Sequence, residues 1–154
     1  ERLVVTDYQI ISPTQVNYYA EDLQYGGTIS GGWWSDYSTS FTEDYGDTWY
    51  SEGVKYKSGE TYEEFSQVGS TNKYVGTIST RANGTQIQDY QIRELDTPEV
   101  IATVHRELRY NGAGSGSYEY ADGLTCEVDY NADGTCSYEC SDGDTGTGNT
   151  GQDC

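Results

Sequence analysis

The sequence predicts an all-β protein: an antiparallel β-sandwich, immunoglobulin-like or jelly-roll-like, whose C-terminal segment is held by disulfides. Apolar and aromatic residues recur at every second position in short runs, the pattern of strands rather than of helices. Gly, Asn, Asp and Ser interrupt these runs roughly every 8–12 residues, the spacing expected of a sandwich. All four cysteines lie within residues 126–154.

The strands can be followed along the chain from the first residues. Glu1 to Ile11 forms a long, apolar starting strand, and the shorter runs that follow are residues 48–50, 54–57 and 74–80. Residues 100–110 are predicted as a strand because their apolar members fall at every second position. Seven to nine short strands follow from this count.

Asn83-Gly84 lies between two of these runs. These residues suit a two-residue type I′ turn, in which both central positions need positive φ, and they predict a hairpin of residues 74–82 and 85–93. Asn83-Gly84-Thr85 is also an N-glycosylation sequon, so Asn83 is a candidate glycan site on an exposed turn.

The chain divides at about residue 110. Residues 1–110 are assigned to the sandwich, and residues 111–154 to an acidic, Gly/Ser-rich segment that is packed on or appended to it. Residues 111–117 are predicted as a flexible loop tip or hinge. Residues 141–154 have no apolar side chain except Cys154, which predicts a coil that the terminal thiol ties down.

The charge excludes several kinds of partner. The chain has 26 acids and 8 bases, for a net charge of −18, and residues 111–154 hold nine of the acids and no base. Nucleic acids and anionic membrane surfaces would be repelled. The lack of an apolar run of about 18 residues argues against membrane insertion. We therefore expect a processed, secreted extracellular or cell-surface protein.

The cysteines predict disulfides, as expected of a secreted chain. Their spacing lacks the close pairs of zinc ribbons. If residues 131–135 form a loop, Asp129 faces Ser137 and Cys126 lies opposite Cys140, which favours Cys126–Cys140 with Cys136–Cys154. Sequential pairing, Cys126–Cys136 with Cys140–Cys154, is the alternative.

Asp129, Asn131, Asp133 and Gly134 resemble the start of the calcium loops of EF-hands, dockerins and thrombospondin-type repeats. The resemblance implies calcium as a cofactor, because Ca²⁺ prefers several oxygen ligands around one short turn. It covers about a dozen residues, and the position of the bidentate carboxylate is Cys140. An Asn/Asp/Gly hairpin turn explains the same residues without a metal.

Trp33, Trp34 and Tyr37, with Trp49 nearby, form the candidate surface for a ligand or partner. Adjacent strand residues point to opposite faces, so one of the two neighbouring tryptophans can be buried while the other is exposed. Exposed Trp and Tyr stack on sugar rings in carbohydrate-binding modules, and they also dominate protein interfaces.

No catalytic motif is present, and no catalytic residue is assigned. His105, the only histidine, is expected on the exposed face of its strand. A pair of carboxylates, as glycosidases use, is the catalytic option that 26 acids leave open.

Two functions follow from these observations. The first is a non-enzymatic structural protein of the cell exterior, such as a subunit of a filament, pilus or coat, built by strand pairing and aromatic contacts between copies or with other extracellular proteins. The second is an extracellular carbohydrate-binding module for a polysaccharide, assisted by calcium.

Overall fold

The computed structural model describes residues 2–34 and 38–154. These residues contain thirteen strands: β1 (Leu3–Ser12), β2 (Gln15–Asp22), β3 (Gly27–Trp34), β4 (Thr39–Asp44), β5 (Trp49–Lys55), β6 (Thr61–Val68), β7 (Asn72–Thr80), β8 (Gln86–Glu94), β9 (Val100–Leu108), β10 (Gly114–Tyr120), β11 (Thr125–Tyr130), β12 (Thr135–Cys140) and β13 (Thr145–Asn149). The described residues contain no helix long and apolar enough to cross a membrane.

The thirteen strands form one antiparallel sheet in the order of the sequence. Each inner strand therefore pairs with the strands before and after it, whereas β1 pairs only with β2 and β13 only with β12. The all-β, antiparallel part of the prediction is confirmed. The sandwich is not confirmed, because this sheet is open and the described strands form no second sheet to face it.

The two faces of the sheet differ in chemistry, since residues directly opposite each other on neighbouring strands share a face. The aromatic face carries most of the large apolar side chains: Tyr18, Ile29, Trp33, Phe41, Trp49, Phe65, Tyr74, Tyr90, Val104, Tyr118, Tyr130 and Tyr138. The polar face carries hydroxyls and acids: Thr28, Thr42, Glu52, Glu64, Thr77, Asp89, Thr103, Ser117, Glu127, Ser137 and Thr147.

Aromatic rings on the aromatic face lie over glycines of the next strand. Three such pairs are directly opposite in register: Tyr18 and Gly31, Phe41 and Gly53, and Tyr138 and Gly146. A Cβ added to each of these glycines would lie within 3 Å of the facing aromatic side chain. The glycines thus make room for rings that cover the backbone of a sheet without a second layer.

A buried hydrophobic cluster lies at the C-terminal end of this face. Val128, Tyr130 and Cys136 form a buried cluster, against which Leu108, Tyr118, Tyr138 and Cys154 pack. Residues 111–154 therefore continue the same sheet as strands β10 to β13.

Two expectations for this segment were wrong. The predicted flexible stretch at residues 111–117 is mostly strand β10, and the predicted C-terminal coil contains β13. The glycines of β10 allow neighbouring groups to approach its backbone closely. A Cβ on Gly114 would lie 1.9 Å from the carbonyl oxygen of Glu107, and one on Gly116 would lie 3.2 Å from the ring of Tyr130.

The hairpin predicted around Asn83-Gly84 is confirmed as β7 and β8, but its turn type is not. Gly84 N–H donates to the carbonyl of Arg81 and Arg81 N–H to that of Thr85, so the loop has three residues, 82–84. This is a type I turn followed by a left-handed glycine, with φ +83° at Gly84. The same bonding recurs at Gly59, Gly112, Gly123, Gly134 and Gly143.

Candidate functional site

The predicted aromatic cluster does not form one surface. Trp33 lies opposite Val16 and Thr39, on the aromatic face, whereas Trp34 lies opposite Gln15, on the polar face. The opposite orientation of the two tryptophans is thus confirmed, and both are partly buried. Tyr37 lies outside the described residues.

Trp49 shares the aromatic face with Trp33 and is held by two contacts. Its ring stacks on Phe65 at 5.8 Å between centroids. Its Nε1 donates to Glu43 Oε2 at 3.1 Å. Trp49 therefore belongs to the packing of β4 to β6.

The three residues of the candidate calcium site are spread over strand and turn. Asp129 lies in β11 opposite Ser137, on the polar face. Asp133 Oδ1 accepts the N–H and the hydroxyl of Thr135, at 3.0 and 2.6 Å, and these bonds lower the pKa of Asp133. Asn131 Nδ2 donates to the same hydroxyl. Among the described residues, no group of three or more His, Cys, Asp or Glu is placed to hold a metal.

The disulfide pairing is confirmed. Cys126 and Cys140 face each other across β11 and β12, with 4.0 Å between their Cα atoms, and Cys136 is bonded to Cys154. The predicted register, Asp129 opposite Ser137, is also found. The second bridge holds residues 150–154 against the end of β13.

Asn83 and His105 are both exposed. Asn83 lies in the β7–β8 turn, and its Oδ1 accepts the N–H of Thr85 at 3.0 Å. His105 lies on the polar face, where its Nδ1 is 2.5 Å from Asp89 Oδ1 of the neighbouring strand. The predicted exposure of His105 is confirmed.

Asp22 forms a polar site at the end of β2 that the sequence did not single out. It is 1% exposed, and Oδ2 accepts hydrogen bonds from Arg2 Nε and Tyr45 Oη, both at 2.9 Å. Its other oxygen accepts the N–H groups of Gln24 and Tyr25. Burial raises the pKa of this carboxyl, but the four donors lower it further, so the pKa lies below its ordinary value.

A groove of about 500 Å³ lies on the aromatic face between β7 and the C-terminal residues. We call it the tyrosine groove; its walls include Tyr74, Tyr90, Arg106, Tyr118, Tyr120 and Tyr138. Arg106 Nε donates to Tyr118 Oη at 3.1 Å, and that oxygen is 3.4 Å from Tyr130 Oη. Burial lowers the pKa of Arg106, but the tyrosine oxygens raise it more, so the guanidinium stays charged.

The sequence did not predict the tyrosine groove, because its residues come from separate strands. Register brings them together: Arg106 is directly opposite Gly116 and Gln88, and Tyr90 and Tyr118 both lie opposite Val104. One signal in the sequence could have placed some of them on one face. Tyr118 and Tyr120 are two residues apart, as are Tyr90 and Ile92, and alternate residues of a strand share a face.

Comparison of the chain with protein-family models, with curated proteins and with solved structures finds no match.

Proposed function

We propose that this chain is a non-enzymatic structural protein of the cell exterior that associates with a second copy of itself through the edge of strand β1. The observation that carries the proposal is the contrast between the two edges of the sheet. One edge is long, apolar and open, and the other is short and covered.

β1 is an edge strand that pairs only with β2. Tyr8 and Ile10 are 68% and 67% exposed, and Leu3 and Ile11 are also exposed. Between Leu3 and Ser12 the strand contains one charged residue, Asp7, and no Lys or Pro. Edge strands of proteins that stay apart usually carry such residues, because an open edge is a template for another strand.

The register between β1 and β2 shifts twice, between Val5 and Asp7 and between Ile10 and Ser12. Residues 7–10 are the regular run between these shifts, and they include the two most exposed apolar side chains of the strand. We therefore centre the pairing on residues 7–10. Two copies related by a twofold axis would place the same run opposite itself in antiparallel orientation, which is a closed arrangement.

β13 is a poor partner for the same interaction. It has five residues, and Asn149 N–H donates to Asp153 Oδ2 at 2.8 Å rather than to a further strand. Asp153 belongs to the tail that Cys154 anchors to Cys136. Pairing through β1 would consequently yield a dimer, and a filament or coat would need a second contact elsewhere on the surface.

The exposed surface also supports association. It amounts to 9656 Å², whereas a compact monomer of this mass exposes about 7,800 Å². A stable interface buries about 800 Å² per partner, which the open sheet can supply. Two disulfides suit an oxidising, extracellular environment.

The test compares two identical substitutions. Tyr8→Lys introduces a charge at the open edge, whereas Tyr62→Lys introduces one on β6, which is paired on both sides. We expect Tyr8→Lys to weaken self-association at least about tenfold and Tyr62→Lys to leave it unchanged. Self-association that is insensitive to Tyr8→Lys and to Ile10→Lys would contradict the proposal.

Carbohydrate binding at Trp33 and Trp34 is less well supported. The two rings lie on opposite faces of β3 and cannot stack on one sugar together. Sugar binding that is lost in either Trp33→Ala or Trp34→Ala would restore this alternative.

A further inference from the structure

Arg106 is a charged side chain surrounded by tyrosines. Its guanidinium carbon lies 5.3 Å from the ring centroid of Tyr130, 5.6 Å from that of Tyr118 and 5.9 Å from that of Tyr90. Within residues 2–34 and 38–154, no carboxylate oxygen lies within 4.0 Å of its nitrogens.

Arg2 offers an internal comparison, because it too lies beside tyrosines on the aromatic face. Its guanidinium carbon is 4.5 Å from the ring centroid of Tyr25. There the chain supplies the anion itself, since Arg2 Nε donates to Asp22 Oδ2. The two sites share arginine and tyrosine, but of these two arginines only Arg2 is paired with a carboxylate among the described residues.

The partial burial of Arg106 strengthens its attraction for an anion. A charge removed from water without an anionic partner is unfavourable, and a charge-assisted hydrogen bond is stronger than a neutral one. A planar guanidinium also matches the two oxygens of a carboxylate. A carboxylate is therefore the anion that this guanidinium would bind best.

The rest of the groove indicates what should carry that carboxylate. Its volume of about 500 Å³ falls in the range of small-molecule sites. Tyrosine rings offer flat apolar surfaces, and Asp144 and Asp153 line the end near the C-terminal residues. Those two carboxylates would repel a second anionic group but accept hydrogen bonds from hydroxyls.

We propose that the tyrosine groove binds an acidic saccharide. In this arrangement the carboxylate of one uronic acid residue pairs with Arg106, the sugar ring lies against the tyrosines, and its hydroxyls donate to Asp144 and Asp153. The net charge of −18 repels long polyanions, which restricts the ligand to a single acidic residue or a short oligosaccharide. The site does not depend on the pairing of β1.

The test is a titration of the intact, disulfide-bonded protein with three probes, followed by NMR chemical shifts. Methyl glucuronide has ring, hydroxyls and carboxylate; methyl glucoside has the same ring without the carboxylate; acetate has the carboxylate alone. We expect the glucuronide to bind at least about tenfold more tightly than either of the others. The largest shifts should fall on Arg106 and the tyrosines around it.

Two variants complete the experiment. Arg106→Gln should abolish the preference for the glucuronide over the glucoside. Arg93→Gln removes the same charge from β8, where Arg93 bonds Gln91 on the polar face, and should leave the preference intact. If Arg106→Gln fails to fold, Tyr118→Phe keeps the ring, removes the hydroxyl bonded to Arg106, and should weaken glucuronide binding.

Several results would overturn the proposal. They are equal affinity for glucuronide and glucoside, acetate binding as tight as the glucuronide, no binding of any probe, or a preference that survives Arg106→Gln. Shifts confined to residues outside the tyrosine groove would also overturn it.

Discussion

Tyr138 lies directly opposite Gly146, with its ring over the glycine backbone. A Cβ on Gly146 would lie 2.5 Å from Tyr138 Cε1 and 2.7 Å from Cζ, and the three nearest atoms all belong to the Tyr138 side chain. The ring packs on the cluster of Val128, Tyr130 and Cys136, so it cannot move without loss of contacts. This pair is one example of an aromatic ring that covers the sheet at a glycine of the neighbouring strand.

Gly146→Ala should therefore destabilise the fold by about 1–3 kcal/mol, the usual cost of overpacking. In a Tyr138→Ala background the same substitution should cost much less, because the clashing ring is gone. Urea unfolding of the four proteins of this cycle measures the coupling. Additive losses would show that the ring and the glycine do not depend on each other.

The hydrogen bonds to Asp22 should make the stability of the fold sensitive to acid. Its pKa is lowered in the folded state, so its contribution to stability is fully present above the unfolded pKa of about 3.9. That contribution is lost as the pH falls through the lower, folded pKa.

Asp22→Asn should be less stable than the unmodified protein at pH 6, and the difference should shrink as the pH falls below about 4. Urea unfolding at several pH values measures it. Glu21→Gln, on the neighbouring exposed residue, is the matched control and should show no such trend. A difference that stays constant with pH would contradict the role given to Asp22.

The two disulfides should differ in their effect on amide exchange at the C-terminal end of the chain. Replacing Cys136 and Cys154 by Ser should cost about 2–4 kcal/mol and free residues 150–154, so the amide of Asn149 should exchange faster with solvent. Replacing Cys126 and Cys140, on strands that are already paired, should leave the exchange of Asn149 nearly unchanged. Hydrogen exchange followed by NMR measures both, and equal protection of Asn149 in the two variants would argue against this assignment.

Gly134 occupies the left-handed position of the β11–β12 turn, with φ +85° and no heavy atom within 4 Å of an added Cβ. Gly134→Ala should therefore destabilise through backbone strain alone, by about 1–2 kcal/mol. Gly134→Asn should cost less, because Asn tolerates this conformation. Thermal unfolding distinguishes them; equal losses would point to a contact rather than to backbone conformation.

Local pairing could be read from the sequence because strand residues alternate between faces. Once a loop was placed between Tyr130 and Cys136, the parity of the strands put Cys126 opposite Cys140, and a one-residue slip would have separated them. The hairpin of β7 and β8 followed from Asn83-Gly84 in the same way, although a bulge glycine rather than a type I′ turn closes it.

The arrangement of the sheet could not be read in this way. Alternation shows which residues share a face, but not whether that face packs on a second sheet or on its own rings. The glycines opposite aromatic residues, such as Gly53 opposite Phe41, were a signal for the open sheet. The Gly/Ser-rich composition around Gly114 and Gly116 led to the wrong prediction of a flexible segment. These glycines instead permit close packing of neighbouring strands.

Sedimentation equilibrium of the purified protein, over concentrations from micromolar to near millimolar and with and without Ca²⁺, tests the proposed function most directly. Pairing through β1 predicts a concentration-dependent rise to twice the monomer mass, which Tyr8→Lys should suppress. A protein that remains monomeric over this whole range, in both conditions, would contradict it.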